Sequence, residues 1–508
     1  MNKSLRSLLS LSGQSVAYGV GFYSKQIVVY LTLPLLTSLM TQEEFGIVSI
    51  VTPFYLVLNT LTNVGLPLAT FRLYNDSDDE SYQQNILGSS QALFFTFAVL
   101  AALVLCLFSR EISNTLLGSQ GYSLVIQIVA ILLVLETMNY YGSLLLRLYI
   151  RPGLFGIHSV VFVVSQMGLA ILFIKFLELG IVGYWLGYLI GGVIGLLLMI
   201  WFNRKYLVFK FSWQHVKELL QYGLPLIPTA LSVIILQLAD RYTIRYFIDL
   251  EAVAIYSIGY KIGSVVNLVL APFSIAWPQF AFTTMNKPDA RKVYRDVLTY
   301  LLMGSIFIAL ITFVFRNQLI ALVSPDSYQT ASDIVPWIAI SMILYGINPI
   351  LTLGPKIKKH TKPLAWMAIT TTLINIILLF VFIPWMGIKG AGTALLFSSL
   401  FLTVVSYFVG RRYYQFPLDK RRITILIIAA GLTAAAGGWI SPEIGNQFTL
   451  LLIKGLILLL YPLILIFLGF MPLKQIGQII SSGTKELLNW IKIRDQAEID
   501  SEGDQESI

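Results

Sequence analysis

Stretches of about twenty consecutive apolar residues recur along the whole chain, as in Ser90–Phe108, Tyr184–Phe202 and Phe448–Phe470. Wound as a helix at roughly 1.5 Å per residue, each matches about 30 Å of hydrocarbon. Over its 508 residues the chain is 56% hydrophobic and only 12% charged, with a mean hydropathy of +0.77. A soluble domain carries about a quarter charged residues and has no single core able to hide so much apolar surface. The sequence therefore reads as an all-α polytopic membrane protein.

Charges, Pro, Gly and Asn divide the apolar blocks into fourteen predicted transmembrane helices. Their approximate spans are 12–40, 45–72, 84–108, 123–148, 155–175, 180–203, 222–248, 253–282, 296–315, 333–354, 364–384, 390–410, 423–441 and 448–470. Positive charge tests the count, because Lys and Arg concentrate in cytoplasmic loops. With the N-terminus inside, 26 of the 35 Lys and Arg residues fall on the cytoplasmic side. They include Arg204, Lys205, Lys210 and Lys217, and Arg411, Arg412, Lys420, Arg421 and Arg422. The outer side takes Arg110, Lys175, Arg241, Arg245, Arg316 and Lys389. A bias that survives fourteen alternations places both termini in the cytoplasm. The basic loops also account for the net charge of +9, so no nucleic acid is needed as a partner. The start MNKSLRS leads into a span too long and polar for a cleaved signal peptide. After the last span, Pro472–Arg494 can form an amphipathic surface helix, and DQAEIDSEGDQESI follows as an acidic tail.

The chain also repeats itself. EEFGIVSIVTPFYLVLN from Glu43 and EAVAIYSIGYKIGSVVN from Glu251 lie 208 residues apart and share six of seventeen positions, among them Ile47/Ile255, Ser49/Ser257 and Asn59/Asn267. GIVG at Gly180 and GIKG at Gly387 lie 207 apart. The offset lays helices 1–6 over helices 7–12 as parallel repeats. Such repeats are related by an axis along the membrane normal, with substrate sites between them near the midplane. The expected organisation is an N-terminal lobe (1–210), a C-terminal lobe (211–415), helices 13 and 14 (416–471) and a cytoplasmic segment (472–508).

Several of these stretches resemble a known family. LPLIPTALSVIILQLADRYTIRYF followed by AIYSIGYKIGS is similar to the seventh and eighth helices of polysaccharide-repeat flippases. Those flippases are members of the multidrug/oligosaccharidyl-lipid/polysaccharide (MOP) exporter superfamily. TLPLLTSLMTQEEFGIVSIV resembles the first and second helices of the same family, and GIKGAGTAL the twelfth. The resemblance covers about residues 10–470. It implies a transporter that turns undecaprenyl-pyrophosphate-linked oligosaccharides from the cytoplasmic to the outer leaflet of a bacterial inner membrane. It further implies cationic residues in these helices that contact the lipid-linked anion.

Charges inside the spans are the candidate site. Gln237, Arg241 and Arg245 recur every four residues on one helical face, with Asp240 on its flank. Lys261 lies at a similar depth in the eighth helix, Lys25 near the middle of the first, and Glu136 deep in the fourth. An ionisable group in hydrocarbon costs several kcal/mol unless it pairs or faces water. One reading makes Asp240 a lock on Arg241 or Lys261, with Arg245 reaching outward to the interface. The other makes Lys25, Arg241 and Lys261, joined by Arg245, the lining of an anion-binding cavity. A pyrophosphate supplies the matching charge, since Arg grips phosphate oxygens with two hydrogen bonds and Lys acts as a point charge. Both readings stay open at this level. Arg72 and Arg147 suit interfacial anchoring.

The remaining features have structural explanations first. Gly187, Gly191 and Gly195 form a small-residue row suited to close helix packing. Pro53, Pro67, Pro272 and Pro278 are expected to kink their helices. Tyr18, Tyr23, Tyr140, Tyr141, Tyr256 and Tyr260 suit packing or stacking on sugars. Cys106 is the only cysteine, so a disulfide framework or cysteine-based metal site is excluded. His158, His215 and His360 lack ligand spacing, and no metal site or cofactor is expected. No Gly-Lys pair offers a phosphate loop for ATP. Energy is then expected from an ion gradient, the membrane potential or substrate flow, with Asp240 and Glu136 the acids available to carry a coupling proton or sodium ion. The expected partners are the lipid-linked oligosaccharide, the bilayer and other polysaccharide assembly proteins. A multidrug antiporter of the same superfamily calls for an acidic cavity, and a glycan polymerase or ligase for large outer loops. A peptidoglycan-precursor flippase fits the same charges. No enzyme activity is expected.

Overall fold

In the computed structural model the described residues run from 27 to 470, apart from 64, 207–209, 225–226, 286–287, 359, 361, 416 and 440–445. Among them there is no strand, and twelve helices are long and apolar enough to cross a membrane. Two further helices complete the set. Ile27–Leu39 is apolar but short, and Ile227–Phe247 carries Asp240, Arg241 and Arg245. In chain order the helices are α1 (Ile27–Leu39), α2 (Gln42–Tyr74), α3 (Glu80–Leu107), α4 (Gln120–Leu148), α5 (Gly153–Leu177), α6 (Gly180–Asn203) and α7 (Ile227–Phe247). They continue as α8 (Leu250–Ser274, helical onward to Thr284), α9 (Ala290–Val314), α10 (Val335–Ile357), α11 (Lys362–Met386), α12 (Ile388–Tyr413), α13 (Lys420–Gly438) and α14 (Phe448–Phe467). Each falls on one of the fourteen predicted spans. Lys25, Tyr18, Tyr23 and the expected segment from 472 to 508 lie outside the described residues.

Local chemistry sets the helix ends. Side chains of Asp79, Asp249, Asp419 and Asn446 accept backbone N–H bonds at the starts of α3, α8, α13 and α14. Each satisfies a donor that the first turn leaves without an intrahelical partner. The span α2 is two helical pieces, Gln42–Asn63 and Leu66–Tyr74, parted at Gly65 with φ +66°. Pro67 sits in the first turn of the second piece, where its missing N–H costs nothing. The predicted irregularity in this helix is therefore a break, made by Gly65 and Pro67 together.

The chain divides into two compact units. One runs up to Val265 and resumes over Arg316–Tyr414; the other is Val266–Phe315 with the chain from Gln415 onward. In the second unit Leu310 and Val314 of α9, Leu426 and Ala429 of α13 and Tyr461 of α14 share one apolar cluster. The first unit holds every described candidate site residue. There the small-residue row of α6 packs on α5: a Cβ at Gly191 would meet the Gln166 backbone at 2.6 Å, and one at Gly187 the Ala170 backbone at 2.2 Å. Still in the first unit, α2 packs on both α7 and α8.

Candidate functional site

Helices α7 and α8 form a hairpin turned at Ile248 and Asp249, whose side chain caps α8 through the Ala252 amide at 2.7 Å. The turn brings Asp240 and Arg241 opposite Tyr256 and Tyr260. Asp240 is 4% exposed, and both of its oxygens are engaged. Its Oδ1 accepts the Arg241 backbone N–H at 2.8 Å and the Arg241 guanidinium at 3.2 Å. Its Oδ2 accepts the Tyr256 hydroxyl at 2.5 Å. The guanidinium lies 4.9 Å from the Tyr260 ring centre and 5.8 Å from that of Tyr256. Tyr256 and Tyr260 are four residues apart, so one face of α8 presents both rings. Ion pairing and two aromatic faces together hold a cation that would otherwise be too costly to bury.

Lys261 follows directly on α8. Its Nζ lies 5.4 Å from the Phe45 ring centre on α2, and its backbone carbonyl accepts the Tyr30 hydroxyl of α1 at 3.2 Å. Among the described residues no carboxylate comes within 4.0 Å of Lys261 Nζ. Asp240 therefore answers Arg241, and among the described residues no acid answers Lys261. Four helices (α1, α2, α7 and α8) meet around this cationic, aromatic cluster. Tyr256 and Tyr260 were visible as candidates in the sequence; Tyr30 and Phe45 were not. Nothing local marks those two, because their role depends on α1 and α2 packing against the hairpin.

The other predicted residues lie elsewhere. Arg245 donates to the Leu117 carbonyl at 2.9 Å, where the helix Ser109–Leu117 ends at Gly118 with φ +71°. A cation there complements the free carbonyls of a helix C-terminus. Glu136 stands in the middle of α4 in a separate polar cluster. Its Oε2 accepts the Tyr55 hydroxyl at 2.7 Å and its Oε1 the Gln166 amide at 2.9 Å. Asn59 donates to the Tyr55 oxygen at 3.2 Å, and Asn63 to Asn59 Oδ1 at 2.8 Å. A sequence signal for this group existed: Tyr55, Asn59 and Asn63 recur every four residues in an apolar helix.

His158 is buried against Asn139 at 3.2 Å, His215 meets the Tyr82 ring, and His360 the Tyr413 ring, each in a different place. Among the described residues no three His, Cys, Asp or Glu side chains converge as metal ligands.

A family model described as polysaccharide biosynthesis protein matches residues 14–283, and one described as MatE matches residues 225–381. A search of curated proteins gave no match. Among solved structures the chain is similar to the lipid II flippase MurJ in an inward closed conformation. That likeness has a TM-score of 0.68 at 16% identity, over 89% of this chain and 98% of the other. It is similar also to an inward-facing multidrug resistance MATE family transporter of the MOP superfamily, at TM-score 0.64 and 16% identity over 78% and 97% of the two chains. A MOP superfamily transporter from Pyrococcus furiosus aligns at TM-score 0.52 and 15% identity, over 79% and 95%.

Proposed function

Because the chain belongs to the polysaccharide biosynthesis protein family, we propose that it is a flippase for undecaprenyl-pyrophosphate-linked oligosaccharides. One observation carries this reading. The Arg241 guanidinium lies over the Tyr256 and Tyr260 rings and Lys261 over Phe45, and Asp240, the acid paired to Arg241, is the one carboxylate within 4.0 Å of either cation that the described residues show. An anion of two or more charges is the complement of that arrangement. Arg241 supplies a planar donor fork, and Lys261 a charge free to turn towards phosphate oxygens. Lys25 is placed in the same anion site by this proposal. Arg245, tied to the Leu117 carbonyl, serves as a helix cap outside this cluster. The cargo moves from the cytoplasmic to the outer leaflet of a bacterial inner membrane as the two six-helix lobes alternate their access. O-antigen, capsule and exopolysaccharide repeat units share this headgroup chemistry.

A second reading, a peptidoglycan-precursor flippase, is favoured by the likeness to the lipid II flippase over 98% of that chain. At 16% identity the likeness speaks for the fold. A cationic drug is disfavoured by the surplus positive charge around Arg241 and Lys261.

Complementation decides between these readings. Expression in a strain lacking its repeat-unit flippase is expected to restore surface glycan, and expression in a strain depleted of its lipid II flippase is not. Arg241→Ala, Lys261→Ala and Lys25→Ala are each expected to lower glycan export at least tenfold at unchanged membrane abundance. Wild-type export by Arg241→Ala and Lys261→Ala would overturn the anion site, and rescue of the lipid II strain alone would favour the second reading.

A further inference from the structure

Where α1 turns into α2 and α7 into α8, side chains of one repeat reach over to the other. Thr37, near the end of α1, places its hydroxyl 2.7 Å from the Val323 carbonyl, the nearest of the three carbonyls it meets. Gln42, the first residue of α2, donates from Nε2 to the Ser327 carbonyl at 2.9 Å. Arg245 crosses the other way, from the end of α7 to the Leu117 carbonyl. Val323 and Leu117 each end a helix, Arg316–Val323 and Ser109–Leu117, so their carbonyls lack an intrahelical donor. Side chains of the opposite repeat supply those donors. The charge bias of the loops assigns this end of the bundle to the outer side.

Phe45 joins the closure to the cationic cluster. It is 2% exposed and lies just under one turn beyond Gln42 on α2. The Tyr328 ring meets it edge-on, with centres 6.3 Å apart and planes at 90°. The Lys261 ammonium lies 5.4 Å from the centre of the same Phe45 ring. Gly46 lets α2 lie against the Leu250 carbonyl at the start of α8, where a Cβ would not fit. Tyr328 contributes through its ring, because its buried hydroxyl has no hydrogen-bond partner among the described residues.

A cation keeps to a ring face only while no stronger partner competes, and a phosphate oxygen is the stronger partner. With this end closed, Lys261 is divided between Phe45 and a bound anion. With α2 drawn away, Phe45 leaves with it, and the whole charge of Lys261 turns to the anion. The anion therefore binds the open form more tightly, and a ligand shifts an equilibrium by that difference in affinity. Linkage makes the effect mutual: whatever loosens the closure tightens anion binding.

We propose that these contacts are the outer gate and that Phe45 couples it to the anion site, so that a diphosphate drawing Lys261 off the ring favours opening. The coupling rests on the anion site of the flippase reading.

The test uses inorganic pyrophosphate and the full chain in phosphatidylethanolamine/phosphatidylglycerol nanodiscs, in a Cys106→Ser background. Spin labels at Thr115→Cys and Thr330→Cys, exposed positions on the two sides of the gate, read its width, and calorimetry reads binding. Pyrophosphate is expected to lengthen the label separation. Gln42→Ala, which removes the bond to the Ser327 carbonyl, is expected to bind pyrophosphate about fivefold more tightly, the low end of allosteric coupling. Phe45→Leu should bind it at least as tightly as the parent and lose the pyrophosphate-dependent change in separation. Binding with no change in separation in the parent, unchanged affinity in Gln42→Ala, or a parental response in Phe45→Leu would overturn the coupling and leave the anion site standing. No binding of pyrophosphate by the parent would overturn the anion site and the coupling with it.

Discussion

Asp240 shows why a charge inside a membrane protein is judged by its neighbours. It holds the Arg241 guanidinium through one oxygen and the Tyr256 hydroxyl through the other. Removing one member of a buried pair leaves the other uncompensated, at about 3–5 kcal/mol. Asp240→Ala is therefore expected to lower the thermal midpoint of the purified protein more than Asp240→Ala/Arg241→Ala does. The same midpoint for the single and double variants would show that the pair is not coupled. Tyr256→Phe keeps the ring beneath Arg241 and removes one charge-assisted bond, a smaller loss of about 1.5–3 kcal/mol. These residues were legible in the sequence as ionisable groups within a span. Their pairing was left open there between Arg241, next along the same helix, and Lys261 on α8, because the sequence does not give the distance between α7 and α8.

At the scale of elements, close approach of helices depends on what is missing from them. Gly187, Gly191 and Gly195 let α6 lie directly on the backbone and side chains of α5, as their spacing in the sequence suggested. Gly191→Leu is expected to cost about 1–3 kcal/mol or more through forced separation. Gly168→Ala, on α5 with nothing within 4 Å of the added Cβ, serves as the control. It should be neutral or stabilising by about 1 kcal/mol, since Ala is the better helix former. Equal midpoints for the two variants, read by fluorescence-detected size exclusion, would contradict the packing. The break in α2 is less legible. Pro67 predicted an irregularity, but the left-handed Gly65 sits where a Cβ would meet the Gly223 backbone, a neighbour about 160 residues away that no local rule supplies.

For the molecule as a whole, the charge bias of the loops predicts how the fourteen helices are threaded. In a Cys106→Ser background, Ser119→Cys is expected to react with a membrane-impermeant maleimide in intact cells. Asp78→Cys is expected to react only after permeabilisation. The opposite pattern would invert the topology. Both positions are exposed in loops, Asp78 just before α3 and Ser119 just before α4, so access to reagent is not limiting. The two compact units follow a different logic from the sequence repeat. The first unit takes α1–α7, the start of α8 and α10–α12, whereas the second takes the rest of α8 with α9, α13 and α14. Sequence offset records how the chain was duplicated; compactness records which apolar faces found each other.

Hydropathy alone determined that this chain crosses a membrane as about fourteen helices, since block length and backbone satisfaction in lipid leave little choice. The repeat and the ADRYTIRYF and IYSIGYKIG segments pointed to the family. Tertiary structure decided which neighbours each charge meets: Arg241 meets Asp240 and the Tyr256 and Tyr260 rings, Lys261 the Phe45 ring, Arg245 a helix end, and Glu136 the head of a hydrogen-bonded chain. Electrostatic and hydrogen-bond energies depend on distances of a few ångströms between helices far apart in sequence, and periodicity within one helix does not encode them.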